Sequence, residues 1–264
     1  MLQKLIVSSV RSGAWWLQEH PRCGIYPERE EFLTRIRANE FKEWNERMVQ
    51  KYDPDAFHHH SNPFVRFVEG RRVKAIMKLM GNQKEDRVLE IGCGAGNIIG
   101  KTPIGKLFGV DLSPLILTKA KQKLRRRVDL FQADAQVLPF KDEVFIRVIC
   151  SEVLEHLLSP SEALREMARI LEPRGYAIIS IPNELLINRI KKILIRLRLF
   201  RWLMTRRGEY REMPERMEDE WHLHTYPLRE WFNLFKGSFR VVRLRKIPFF
   251  WLPLRYVVQL EKIG

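Results

Sequence analysis

A chain of 264 residues with 45% hydrophobic, 11% aromatic and 30% charged residues has room for one complete α/β domain plus an extension, and its composition excludes a disordered chain. The formal net charge of +15 implies affinity for something anionic, whether nucleic acid, phospholipid headgroups or a phosphorylated substrate. Three scattered cysteines, Cys23, Cys93 and Cys150, form no C-x-x-C pair, which argues against a disulfide framework or a zinc site and for a reducing, cytoplasmic setting. The first twenty residues run from a short apolar stretch into Arg11 and paired tryptophans, unlike a signal peptide. No run of about 18 uncharged apolar residues suggests a spanning helix.

In chain order, residues 1–85 are rich in tryptophan, arginine and glutamate and read as a helical extension or cap, with helices over 28–50 and 64–80 and a turn at Asp53-Pro54. Residues 86–264 read as one α/β domain. Its first half alternates short Val/Ile/Leu runs with helical stretches, the pattern of βαβ units on a parallel sheet. Strands are predicted at 87–91, 106–110, 128–132, 145–150 and 176–181. Helices are predicted at 114–126, with Ser113 as N-cap and Pro114 at the first position, and at 161–171, stopped by Pro173 and Gly175. A basic apolar helix over 185–204 opens an insertion spanning about 184–220. A helix near 227–235 and two strands at 240–246 and 255–261 close the chain. The fold class expected is a Rossmann-like, seven-stranded, mostly parallel sheet with helices on both faces.

The strongest local signal is the strand Val88-Leu89-Glu90-Ile91 running straight into Gly92-Cys93-Gly94-Ala95-Gly96-Asn97. Glycines at a strand's carboxyl end let backbone approach a nucleotide. Nicotinamide enzymes use a similar device, but their third glycine would fall where Asn97 stands, and Glu90 precedes the loop. A carboxylate there suits the ammonium and sulfonium of S-adenosylmethionine (SAM), which has no pyrophosphate to seat. Asp111 ends the second strand, within reach of a ribose, and Asp134 ends the third, where it could accept from an adenine amino group.

Together with Ser151-Glu152-Val153-Leu154-Glu155-His156 after the fourth strand, this set resembles the class I SAM-dependent methyltransferases. Within them it looks most like the subgroup that includes ubiquinone-biosynthesis O-methyltransferases. The resemblance covers residues 86–183 in detail and the later elements in order only. It implies cofactor contacts at Glu90, Gly92, Gly94, Asp111, Leu112, Asp134, Ala135 and Ser151, with Gly96 completing the loop. One departure is the short link from Asn97 to Lys106, carrying Gly100, Pro103 and Gly105 where the family has a fuller helix.

SAM arrives activated, so the chain has to align an acceptor and, at oxygen, remove a proton. His156, His222 and His224 are the candidate bases; the alternation of the last two suggests that one faces solvent. Glu152-x-x-Glu155-His156 has the composition of a divalent-metal site, although the Glu-His pair recurs without metal in such enzymes, and the metal question stays open. His58-His59-His60 reads as a polar linker or lid.

Between residues 184 and 217 ten Lys or Arg face four Glu. Interleaved with aliphatics, Trp202 and Phe200, they suit a lid or a helix lying on an anionic membrane, with 248–253 as a second contact; a helix packed on its own domain fits equally well. Aliphatics outnumber stacking aromatics, which argues against RNA. The expected activity is methyl transfer to a small or lipid-linked acceptor at oxygen, by a cytoplasmic protein with peripheral membrane contact. The rivals are an RNA or protein methyltransferase and a noncatalytic SAM-binding protein.

Overall fold

A computed structural model describes residues 38–60, 62–81, 86–103, 105–198 and 221–263. Seven strands form one sheet: β1 (Arg87–Ile91), β2 (Lys106–Asp111), β3 (Val128–Gln132), β4 (Phe145–Ser151), β5 (Leu171–Pro182), β6 (Phe239–Pro248) and β7 (Pro253–Lys262). Their order is β3-β2-β1-β4-β5-β7-β6. The first five pair in parallel and β7 runs antiparallel to both β5 and β6, so the closing hairpin completes a mostly parallel sheet. The order reverses beside β1, which places a crevice at its carboxyl end, the general ligand position in open α/β sheets.

Six helices are described: α1 (Ala38–Tyr52), α2 (Pro63–Met80), α3 (Pro114–Leu124), α4 (Pro160–Ile170), α5 (Glu184–Arg196) and α6 (Leu228–Phe235). Residues 28–37 and 199–204 of two predicted helices, and 199–220 of the insertion, lie outside the described residues. Local chemistry sets the starts of α3 and α4. Ser113 accepts from Ile116 N–H and Ser159 from Glu162 N–H, each ahead of a proline at the first helical position.

The sheet is buried on both faces. On one, Leu89, Val110, Phe140, Phe145 and Val148 pack with Leu164 and Met167 of α4 and Trp231 and Phe235 of α6. On the other, Val68, Val73, Ile76 and Met80 of α2 pack with Leu124 of α3 and with Val88, Ile149, Ile178 and Val257. α2, inside the residues read as an extension, is therefore a structural layer of the domain.

Two differences from the sequence reading have physical causes. β5 begins at Leu171, which pairs with Phe145, and the register then shifts before Tyr176. Pro173 and Gly175, read as stopping the preceding helix, lie within the strand that follows it, because proline and glycine are tolerated at such irregularities. The short link after Asn97 holds one 3-10 turn, Ile99–Lys101, and no fuller helix, as its sequence suggested. His222 and His224 are both buried, at 9% and 6% exposure, where one was expected to face water. Their segment is not a strand with alternating faces: Leu223 and His224 both donate backbone N–H to the Glu155 carbonyl.

Candidate active site

The glycine loop follows β1, and all three of its glycines have positive φ, a region that L side chains avoid. Their surroundings separate their roles. A Cβ on Gly92 would come within 2.3 Å of Val153, and one on Gly96 within 2.3 Å of Leu124, whereas one on Gly94 would meet nothing within 4 Å. Gly94 therefore presents bare backbone to open space. Gly96 is a packing glycine against α3 and does not line the cavity, a correction to its expected ligand role. Gly96→Ala is expected to destabilise by about 1–3 kcal/mol in chemical denaturation, through both the clash and the left-handed backbone.

Asp111 holds the loop from the neighbouring strand. One carboxylate oxygen accepts from Gly94 N–H at 2.9 Å and the other from Ser113 N–H at 3.0 Å. A carboxylate offers about four acceptor positions, so two remain for ribose hydroxyls. Burial raises its pKa, opposed by those two hydrogen bonds.

Glu90 sits deeper than expected. It is buried and lines the cavity, and its Oε2 accepts from Ile99 N–H at 2.8 Å, clasping the 3-10 turn to β1. Burial pushes its carboxyl up to about 8, against that hydrogen bond and the more distant Arg72 guanidinium. Folding thus favours the protonated acid: the stability it contributes is complete below the ordinary value of 4.5 and is lost as pH rises toward 8. Glu90→Gln, which keeps an acceptor for Ile99, is expected to flatten the fall in melting temperature between about pH 5 and pH 8 in scanning calorimetry.

A cavity of about 250 Å³ opens along this loop and over the carboxyl ends of β1, β2 and β4. It brings together Glu90, Gly92, Gly94, Asp111, Leu112, Asp134, Ala135, Ser151, His156 and His222. Asp134 accepts from the backbone N–H of Gln136 at 2.9 Å, which fixes the turn after β3. His224 does not line the cavity. Its Nε2 lies 2.8 Å from the Leu157 carbonyl and its ring stacks on Tyr226, so it braces the loop and falls out of the set of candidate bases.

His156 packs against Trp221 and His222, with ring centroids 4.7 Å away in each case. Its Nδ1 lies 3.1 Å from the Trp221 carbonyl, which can only accept, so Nδ1 carries the proton and Nε2 the lone pair. Burial, and then His222, holds its pKa well below the usual range, so it stays neutral. His222 Nδ1 lies 2.5 Å from a carboxylate oxygen of Glu184, the first residue of α5. That geometry fixes the tautomer and supplies a carboxylate behind the ring, as in hydrolase triads.

The Glu152-Glu155-His156 grouping, left open in the sequence, does not assemble. Glu152 accepts from Ser180 Oγ at 2.9 Å and pairs with Arg255 at 2.6 Å. His222 instead joins Glu155 and His156, with one donor atom of each within 4.8 Å of the others. Neither carboxylate oxygen of Glu155 has a hydrogen-bond partner, and burial, reinforced by Glu152, raises its pKa well above the usual range. The carboxyl is therefore neutral unless a cation or donor meets it. These three groups could hold a divalent ion. His58 lines the cavity apart from them and is pushed down to about 4 by burial and then by Arg72; His60 accepts from Asn62 N–H.

The sequence reading missed the opposite wall. Arg72 of α2 is buried, pairs with Glu69, and donates to Ser151 Oγ and, at 3.3 Å, to Ser180 Oγ. Burial alone would raise the Glu69 pKa, but Arg72 outweighs it and the carboxyl titrates low. Ser151 is thus partly spent on Arg72. The available signal was a Glu-x-x-Arg pair standing within the apolar stripe of Val68, Val73 and Ile76, where an unpaired charge would be prohibitive.

Residues 89–179 fit the family model described as a methyltransferase domain. Residues 89–179 form a methyltransferase domain. The chain is 31% identical over 137 residues to an uncharacterized protein of Methanocaldococcus jannaschii, covering 51% of this chain and 59% of that one. It is 34% identical over 112 residues to a demethylmenaquinone methyltransferase of Staphylococcus aureus, covering 40% and 46%. This chain thus spans about half the length of the curated relatives it matches. In fold, the chain resembles the N-methyltransferase NodS from Bradyrhizobium japonicum in complex with S-adenosyl-L-homocysteine. There the TM-score is 0.58, the identity 16%, and the coverage 86% of this chain and 100% of that one.

Proposed function

We propose that the protein transfers the methyl group of SAM to a hydroxyl of a small or lipid-linked acceptor. The observation that carries this reading is one cavity lined both by the bare Gly94 backbone beside Asp111 and by His156 and the Glu184-backed His222. The cradle fits a nucleoside, because a side chain is missing where backbone must approach it and Asp111 keeps acceptor capacity. When bound, SAM supplies a methyl group already activated on a sulfonium centre.

The chain's own residues do the remainder. Glu90 stays protonated while it clasps the loop, so the buried base of the cradle carries no uncompensated charge. Trp221 stacks on His156 and keeps that ring in place, with Nε2 available to orient the acceptor hydroxyl. His222 takes the hydroxyl proton as the new oxygen–carbon bond forms, and Glu184 stabilises the resulting imidazolium. The proton then leaves to solvent.

Incubation with methyl-labelled SAM and separated lipid, metabolite and RNA pools tests the acceptor class. Label is expected in the lipid or metabolite pool and to resist treatments that cleave only methylated nitrogen or RNA. Label confined to RNA or protein would replace this reading with its first rival, and no label anywhere would leave a noncatalytic SAM-binding protein.

A further inference from the structure

We infer that the β6–β7 hairpin tip, with the start of α2 and the outer face of α5, is a docking surface for an anionic lipid bilayer. Insofar as the bilayer delivers the acceptor, this rests on the function proposed above. The tip, between the facing residues Pro248 and Pro253, carries Phe250 and Trp251 at 79% and 65% exposure, among the most exposed large apolar side chains of the described residues. Phe249 stacks on Trp251 with centroids 5.1 Å apart and planes within 3°, and packs on Phe67 of α2 at 5.8 Å. Phe64 and Phe67 are themselves exposed. The result is an aromatic wedge that two elements hold rigidly against water.

α5 joins the same edge. Asn183, its N-cap, donates to the Pro253 carbonyl at 2.8 Å, and its backbone N–H donates to the Leu254 carbonyl. Beyond this anchor the helix exposes Leu185, Ile193 and Ile195 together with Arg189, Lys192 and Arg196, and Leu197 and Arg198 follow it. None of those four basic side chains has an acidic partner among the described residues. Exposed aliphatics beside unneutralised cations, flanked by aromatics, match an interfacial contact with anionic headgroups.

Two observations select the occupant. A second copy of the chain would bring another net charge of +15 to a basic face, which disfavours self-association. The wedge also adjoins elements that line the cavity: Ile187 of α5 and Arg255, three residues past Leu252, are both in its wall. Docking would therefore bring the opening to the headgroup level, where the polar end of an amphipathic lipid lies. The contact centres on the hairpin, with the basic helix beside it.

Co-sedimentation of the full chain with phosphatidylcholine vesicles, with and without phosphatidylglycerol, tests this. At about 0.15 M salt, where the Debye length is about 8 Å, binding to the anionic vesicles is expected to be at least about tenfold stronger and to weaken at high salt. A Phe250→Ser/Trp251→Ser variant is expected to lose at least about tenfold in that binding, with melting temperature and SAM affinity unchanged. Brominated lipid should quench tryptophan fluorescence in the wild type and much less in Trp251→Phe.

Equal vesicle binding by the double variant would overturn the inference. So would no binding at all, or a wild-type dimer in light scattering that the double variant dissolves. SAM calorimetry on the same protein separates the two claims. Vesicle binding without SAM binding would sink the proposed function alone, and SAM binding without vesicle binding would sink the docking surface alone.

Discussion

Asp111→Ala is expected to weaken SAM binding by at least about 100-fold in isothermal titration calorimetry. A hydrogen bond to a charged group is worth about 1.5–3 kcal/mol, and the carboxylate has acceptor positions for two ribose hydroxyls. The alanine variant also frees the backbone N–H groups of Gly94 and Ser113, so the loop itself loses its tether. Asp111→Asn separates the two effects. It retains one oxygen to accept from the backbone but offers an NH₂ where the second acceptor stood, and an intermediate loss is expected. Equal affinity for wild type and alanine variant would mean that the ribose lies elsewhere.

His222→Asn should lower kcat by about 10²–10⁴ while leaving SAM affinity unchanged, since proton transfer by a positioned side chain contributes that range. The assignment depends on Glu184, 2.5 Å from Nδ1. Glu184→Gln keeps an oxygen to orient the ring but removes the charge that stabilises an imidazolium, so its effect should fall on kcat and be smaller than that of His222→Asn. His156→Asn is expected to do less than His222→Asn, because no carboxylate stands behind His156 and its lone hydrogen-bond anchor is a backbone carbonyl. Comparable kcat values for the His222 variant and the wild type would remove the base from the mechanism.

The parts of this molecule that a linear reading reaches are those with local causes. β1 and β2 are short, largely aliphatic runs, the first leading into Gly92 and the second ending at Asp111, and Ser113-Pro114 announces a helix start through capping chemistry alone. Asp111 and Gly94 were legible for the same reason: the loop and the strand end are adjacent in β-sheet register, Ile91 facing Val110. What stayed hidden depends on distance in sequence. Arg72 meets Ser151 across 79 positions and Glu184 meets His222 across 38, and no periodicity encodes either pairing. The grouping of Glu152 with Glu155 and His156, left open in the sequence, is also decided at a distance: Glu152 pairs with Arg255, while His222 returns from beyond the insertion to join the other two. Gly96 misled through composition: three alternate glycines look alike, yet only their neighbours reveal that one faces Leu124 and another open space.

The central claim is that the cavity over Gly94 and Asp111 is shaped for a sulfonium nucleoside. Calorimetric titration of the wild-type chain with S-adenosylhomocysteine and, separately, with a nicotinamide dinucleotide tests it most directly. Saturable one-to-one binding of the first and none of the second is predicted. Silence with the first, or preference for the dinucleotide, would contradict it.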